Sequence, residues 1–273
     1  MVATTVTPGL EHAKSVPGRH FSFSRADREE DIASTYRIRY QVYCLERGFL
    51  DASHYPEGLE RDAFDAHAVP ILARHEQGEP AGTARLVMPS ALGFPLEGHC
   101  RFSPGREVPS DTTGPFPARY VEISRLAVSR AFRRRKGDGL YGGPPRPGSP
   151  QAGGAEILAF PTSQQTPEIV SGIYRLLYQE SRRRGVEHWV VAMERGLDII
   201  LRRMGLDFTP IGPRIDYFGP VRPYLASIET LERHLYRTAP EVLRFMLTGL
   251  EPELWPAFAR DRGDSWGDLA SIG

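Results

Sequence analysis

Three residues able to do chemistry stand inside one apolar run. They are Glu122, Ser124 and Arg125 in YVEISRLAV, Tyr120–Val128. Ionisable side chains are rarely sealed in an interior unless they are paired or at work. The run is short and β-branched, with a proline and an arginine before it and a basic turn after it, so it reads as a buried strand. Alternation puts Tyr120, Glu122 and Ser124 on one face and Val121, Ile123 and Arg125 on the other. A β-bulge would bring Arg125 to the same cleft as Glu122. A carboxylate there can take a proton, and a neighbouring guanidinium can keep it ionised. A buried Glu–Arg pair that only sets strand register is the plainer reading of the same residues.

Further charged residues stand upstream. Glu60, Asp62 and Asp65 lie close together in a turn-rich acidic stretch, residues 48–68. Asp62 and Asp65 can hold an ammonium, or they form a solvated turn. Arg39 and Arg85 carry forked guanidinium groups suited to a carboxylate, either a ligand's or those same acids in an ion-pair network. Downstream, RAFRRRK at residues 130–136 packs five positive charges into seven residues. It meets a phosphate, meets an acidic protein partner, or is a solvated loop. Complementary charge speeds encounter and favours the acidic protein.

Several elements must position these groups. A helix is expected over residues 27–47. Ile32, Tyr36, Tyr40 and Tyr43 form one stripe, with Ile38, Val42, Leu45 and Phe49 nearly opposite. Two strands over 69–74 and 81–88 are joined by EQGEP, which reads as a hairpin. Residues 137–165 are rich in Gly, Pro and Ser and read as a mobile loop. Thr166, Pro167 and Glu168 start a helix that Gly185 ends. A strand over 188–193, a helix over 197–204 and strands near 206–210, 214–218 and 221–226 follow. Helices over 228–236 and 241–247 close the chain. The expected division is a loose tail over 1–19, a domain over 20–226 and a helical extension over 227–273. The order of elements implies an α/β layered domain with a mixed sheet.

Composition excludes several classes. Apolar residues make up 40% and charged residues 25% of 273, as expected for a packed protein. Lys plus Arg and Asp plus Glu both number 34, which argues against a general nucleic-acid or membrane-surface binder. Cys44 and Cys100 form no disulfide framework, which suits a reducing cytoplasm. The N-terminus lacks the pattern of a signal peptide, and no apolar run is long enough for a membrane span. The eight histidines form no metal triad, and no HExxH, CxxC or GxSxG is present, so neither a metal nor a nucleophilic serine is expected.

Four segments together resemble the acyl-homoserine-lactone (autoinducer) synthases and their relatives, the N-acyl amino acid synthases and the exosortase-associated acyltransferases. They are RYQVY at 39–43, ERDAFD at 60–65, GTARL at 82–86 and VEISRLAV at 121–128. RIDYFGPVRPY at 214–224 looks most like the exosortase-associated branch. The resemblance implies a three-layer GNAT-like N-acyltransferase fold with a bulge near Ser124–Leu126. It implies that Glu122, Ser124 and Arg125 act in catalysis and that Arg39, Asp62, Asp65 and Arg85 bind the acceptor. Leu126, Val128, Arg133, Arg134 and Arg135 would meet the acyl carrier or its phosphopantetheine. Arg134, Gly137 and Gly139 also fit the GNAT pyrophosphate-loop spacing. No permanently bound cofactor is implied; the co-substrate would be an acyl thioester of acyl carrier protein or coenzyme A. Autoinducer synthases carry a Trp where this chain has Phe49, which points to an amino acid rather than S-adenosylmethionine as the amine acceptor. A GNAT-like module that holds an acyl ligand without turnover is the rival of another class.

Overall fold

Strand-forming runs, the central ones buried almost throughout, assemble the sheet around which the rest packs. The structure, a computed structural model, describes residues 16–17, 20–102, 116–132 and 165–260. In chain order its strands are β1 (Val16–Pro17), β2 (Phe21–Arg25), β3 (Ala68–His75), β4 (Pro80–Val87), β5 (Tyr120–Val128), β6 (His188–Glu194), β7 (Thr209–Pro210), β8 (Ile215–Asp216) and β9 (Pro220–Ser227). The helices are α1 (Glu29–Arg39), α2 (Gln165–Arg183), α3 (Arg195–Arg203), α4 (Ile228–Thr238), α5 (Pro240–Leu247) and α6 (Ala257–Arg260). The sheet runs β1-β2-β3-β4-β5-β6-β9-β7, with β8 on β9. All pairs are antiparallel except β5 with β6.

The two faces are covered differently. Phe23, Ile71, Leu86 and Ile123 share one face by strand register, and α2 lies on it. Gly172 of α2 permits this close approach: a Cβ there would meet the Phe23 ring at 2.1 Å. Trp189 of β6 anchors the same helix, donating from its indole Nε1 to Ser181 Oγ at 2.8 Å. The opposite face carries α1, which Asp31 ties to Arg74 of β3. The helical residues Ile228, Leu231, Leu235 and Leu243 join the main core. The described helices after Ser227 therefore pack against the same core as the sheet.

Three expectations change. Val16–Pro17 pairs with Ser22 and Phe23, so this part of the expected loose tail is a sheet edge. The helix predicted over 27–47 is α-helical only to Arg39 and continues as a π-helix over Tyr40–Glu46. The wider turn shifts the angular register. Leu45, expected to be covered with Ile38 and Val42, is 62% exposed as a result. The strands near 206–210 and 214–218 shrink to the two-residue β7 and β8. The loop expected over 137–165 lies outside the described residues up to Gln165, as do Arg133, Arg134, Arg135, Gly137 and Gly139.

Candidate active site

β5 and β6 run parallel but pair at three positions only, Tyr120 with His188, Val121 with Trp189 and Glu122 with Val190. Beyond Glu122 they part, β6 keeping its other edge on β9 up to Glu194. A cleft of about 60 Å³ opens there, with Glu122, Ser124 and Arg125 on one side and Ala192 and Glu194 on the other. On the far edge of β5 the register with β4 slips: Thr83 faces Ala127, yet Arg85 faces Ser124. Two residues of β5, Arg125 and Leu126, oppose Ala84 alone. This is the expected bulge, and Arg125 takes the left-handed φ of 55° within it. Strict alternation would have sent Arg125 to the Ile123 face. The bulge delivers it to the cleft.

Arg125 does not pair with Glu122. Its Nε lies 3.3 Å from both Glu60 carboxylate oxygens, and its Nη2 donates to Asp62 Oδ2 at 3.1 Å. Its guanidinium also lies over the rings of Tyr43 and Phe218, at 5.6 Å and 4.9 Å from their centroids. Arg39 donates to Glu60 through Nε at 2.5 Å and grips Asp65 with both terminal nitrogens. Arg85 forks onto Asp62, reaches Asp65 at 2.7 Å and donates to Ser124 Oγ at 3.0 Å. Three guanidiniums thus face three carboxylates in one buried network. The Asp-x-x-Asp spacing has a local cause. Asp62 accepts from the Phe64 amide and Asp65 accepts from the Asp62 amide, a reciprocal cap that sets the two carboxylates side by side. Burial pushes the Asp65 carboxyl up, but hydrogen bonds and charge from Arg39, with the charge of Arg85, outweigh it and hold the group at about 2.

Glu122 is in a different environment. It is 2% exposed, and Oε2 accepts from the Leu96 amide at 2.9 Å. Burial raises its carboxyl to about 8, overriding the Leu96 hydrogen bond and the nearby charges of Arg85 and Arg125. The expectation that Arg125 keeps Glu122 ionised is corrected here: desolvation outweighs two unpaired-distance cations. A carboxyl near 8 in a cleft is poised to exchange a proton with an amine.

The sites expected from the sequence divide as follows. Glu122, Ser124 and Arg125 meet at the cleft. Arg39, Asp62, Asp65 and Arg85 meet one another; of these acids Asp62 is the more open, its side chain 24% exposed against 10% for Asp65. Leu126 and Val128 belong to the core rather than the cleft wall. Phe49, which the sequence tied to the acceptor, lines the cleft; sequence reasoning did not single out Tyr43, Tyr217 and Phe218 as its walls, or Glu60 as the shared anchor of Arg39 and Arg125. Glu60 heads the ERDAFD segment and was available from that motif. Tyr217 and Phe218 come from the turn between β8 and β9, where Phe218 has φ 52° and Gly219 φ 100°. A Cβ on Gly219 would meet Phe49 Cζ at 2.8 Å. Gly219→Ala is therefore expected to cost about 1–3 kcal/mol of backbone strain, read by urea denaturation. Wild-type stability in that variant would show that the turn relaxes freely.

Comparison with known proteins agrees with this geometry. Residues 38–141 match the family model described as an acetyltransferase (GNAT) domain. No curated protein matches the chain. Among solved structures, TofI in a ternary complex with an inhibitor and MTA superposes with a TM-score of 0.54 at 20% identity, over 86% of this chain and 100% of TofI. BjaI, a CoA-dependent acyl-homoserine lactone synthase solved with SAM and isopentyl-CoA, gives 0.50 at 17% identity, over 81% of this chain and 89% of its own. With the parted strands and the bulge on the far edge of β5, these matches show that residues 38–141 are similar to the GNAT acetyltransferase domain and that the chain has the fold shared by TofI and BjaI.

Proposed function

We propose that this protein is an N-acyltransferase that moves a fatty acyl group from a thioester to the amine of an amino acid. The observation that carries the reading is the cleft between the parted strands, with Glu122 held near 8 at its edge and the β5 bulge beside it. The amine nitrogen attacks the thioester carbonyl carbon, the C–S bond breaks, and the thiol leaves as the amide forms. Glu122 in its ionised form takes the proton that the amine loses. Backbone amides at the bulge serve the oxygen that gains charge. The ion-pair network positions Arg125 and Ser124, and Asp62 at its open edge faces the acceptor's ammonium. The donor is an acyl carrier protein in preference to coenzyme A, met by the basic residues around 130–136, and no cofactor is held permanently.

S-adenosylmethionine is the second reading of the acceptor. The aromatic rings of Tyr43, Phe49 and Phe218 around the cleft suit a sulfonium cation. The test incubates the protein with acyl carrier protein or coenzyme A thioesters and either mixed amino acids or S-adenosylmethionine. Thiol release is followed and products are read by mass spectrometry. N-acyl amino acids are expected. An acyl-homoserine lactone as the main product would replace the acceptor assignment. Thermal stabilisation by acyl thioesters with no thiol release from any pair would make the chain a non-catalytic binder.

A further inference from the structure

The side of α2 turned away from the sheet carries a cation with nothing to balance it. Ile169 and Ile173 of α2 reach β4 beside Gly82. Arg175, two residues on from Ile173, lies about 200° further round the helix, on the side that meets α5. It is 4% exposed. Among the described residues its Nε and Nη2 are buried and donate to nothing. Its Nη1 makes no hydrogen bond either but is not one of the sealed atoms, so the guanidinium reaches solvent at that end. The ring of Phe245 on α5 lies against the group, its centroid 4.6 Å from Cζ. An aromatic face supplies neither a full counter-charge nor an acceptor in the guanidinium plane. Arg39 and Arg85, the other arginines buried to this degree among the described residues, are both tied to carboxylates.

The missing partner is an anion of a particular kind. An uncompensated buried charge is among the most costly features a fold can carry. Burial pushes the Arg175 guanidinium down to about 10, and no carboxylate offsets it. One turn along α2, Gln179 shows the converse lack. It is fully buried, and its Nε2 donates to the carbonyls of Met246 at 3.1 Å and Thr248 at 2.8 Å, while its Oε1 accepts nothing. Residues four apart are neighbours on a helix surface. The contact between α2 and α5 thus lacks acceptors for the N–H groups of one guanidinium and a donor for one amide oxygen. A carboxylate or a sulfate supplies acceptors only. Water supplies both but not the negative charge. A hydrogen phosphate group supplies all three: oxygens for the guanidinium fork, a P–OH proton for Gln179 Oε1, and the counter-charge.

We propose that Arg175 and Gln179 form a second binding site, across the sheet from Glu122, for a hydrogen phosphate group, free or as a phosphomonoester, entering at the Nη1 end. Calorimetry on the full chain at constant ionic strength is expected to show inorganic phosphate binding, and sulfate, which lacks the proton, binding at least about tenfold more weakly. Glycerol 3-phosphate is the third probe. Tighter binding of it than of inorganic phosphate assigns the site to a phosphomonoester, and the reverse order to the free ion. Arg175→Met is expected to abolish phosphate binding. Arg175→Lys keeps the charge but not the fork and should weaken it, which carries the test if the Met variant folds poorly. Thiol release in the acyl-transfer assay, run without phosphate, should stay unchanged in both variants. Equal binding of phosphate and sulfate, phosphate binding that survives Arg175→Met, or no binding of any probe by the wild type, the guanidinium then being satisfied by water alone, overturns the site. The acyl-transfer reading stands or falls separately, because its assay contains none of these anions.

Discussion

Glu122→Gln is expected to lower kcat for acyl transfer by roughly 10²–10⁴-fold, the usual contribution of a positioned general base, while the protein stays folded. Gln is nearly isosteric and its carbonyl oxygen can still accept from the Leu96 amide. The pH profile sharpens the test. With the wild-type carboxyl at about 8, the active, ionised fraction grows as pH rises through that value, so kcat/KM should climb and then level. The Gln variant should lack that step. The stability profile has the opposite sense. A carboxyl raised from its ordinary value of about 4.3 to about 8 holds its proton more firmly in the folded state. Stability should therefore decline as pH rises between these values, and Gln should flatten that slope. If Glu122 only braces the strand, the outcome reverses: the rate per folded molecule stays near wild type and only stability moves. Measuring kcat and melting temperature on one preparation decides between them.

Arg85→Met should destabilise the protein by about 3–5 kcal/mol, the cost of removing one member of a buried ionic group and stranding its partners. Arg85 is 1% exposed and bonds Asp62, Asp65 and Ser124 at once. Its loss leaves three carboxylates against two guanidiniums in a closed space. The acid limb offers a second readout. Asp65, held at about 2, contributes stability in full above its unfolded value of about 3.9 and loses it as pH falls toward 2. Without Arg85 that contribution shrinks, and the acid transition should begin at higher pH. Arg85→Lys keeps the charge but not the fork, so partial loss is expected. A change below about 1 kcal/mol in Arg85→Met by urea denaturation, the range of exposed ion pairs, would show that the network is solvated and marginal.

Much of the scaffold was legible because its causes are local. The apolar run of β5, the EQGEP hairpin, and the glycine ends of α2 and α3 follow from periodicity and backbone preference over a few residues. The Asp-x-x-Asp cap is equally local, its two hydrogen bonds spanning only three residues, though the sequence was read there as an ammonium site or a solvated turn. The change to a π-helix at Tyr40 had no such signal. It accompanies contacts made far along the chain, such as the Tyr43 hydroxyl donating to the Leu126 carbonyl at 3.0 Å. The edge strand at Val16–Pro17 likewise depends on a partner, since a two-residue strand has no period of its own.

At the site, the sequence by itself determined which residues are unusual for their surroundings: Glu122, Ser124 and Arg125 inside an apolar strand, and Arg39, Asp62, Asp65 and Arg85 in short motifs. Only the tertiary structure decided how they are paired. Whether Arg125 meets Glu122, three residues away, or Glu60, sixty-five away, depends on where the bulge turns its side chain and on which loop packs beneath it. The proton affinity of Glu122 depends on the same packing. Desolvation comes from every atom around a carboxyl, and those atoms arrive from Leu96, Val190 and Tyr217 as much as from its own strand. The parting of β5 from β6 is also tertiary: β6 goes on pairing with β9 while the bulge bends β5 away, and no property of either strand's own residues states where the two will separate.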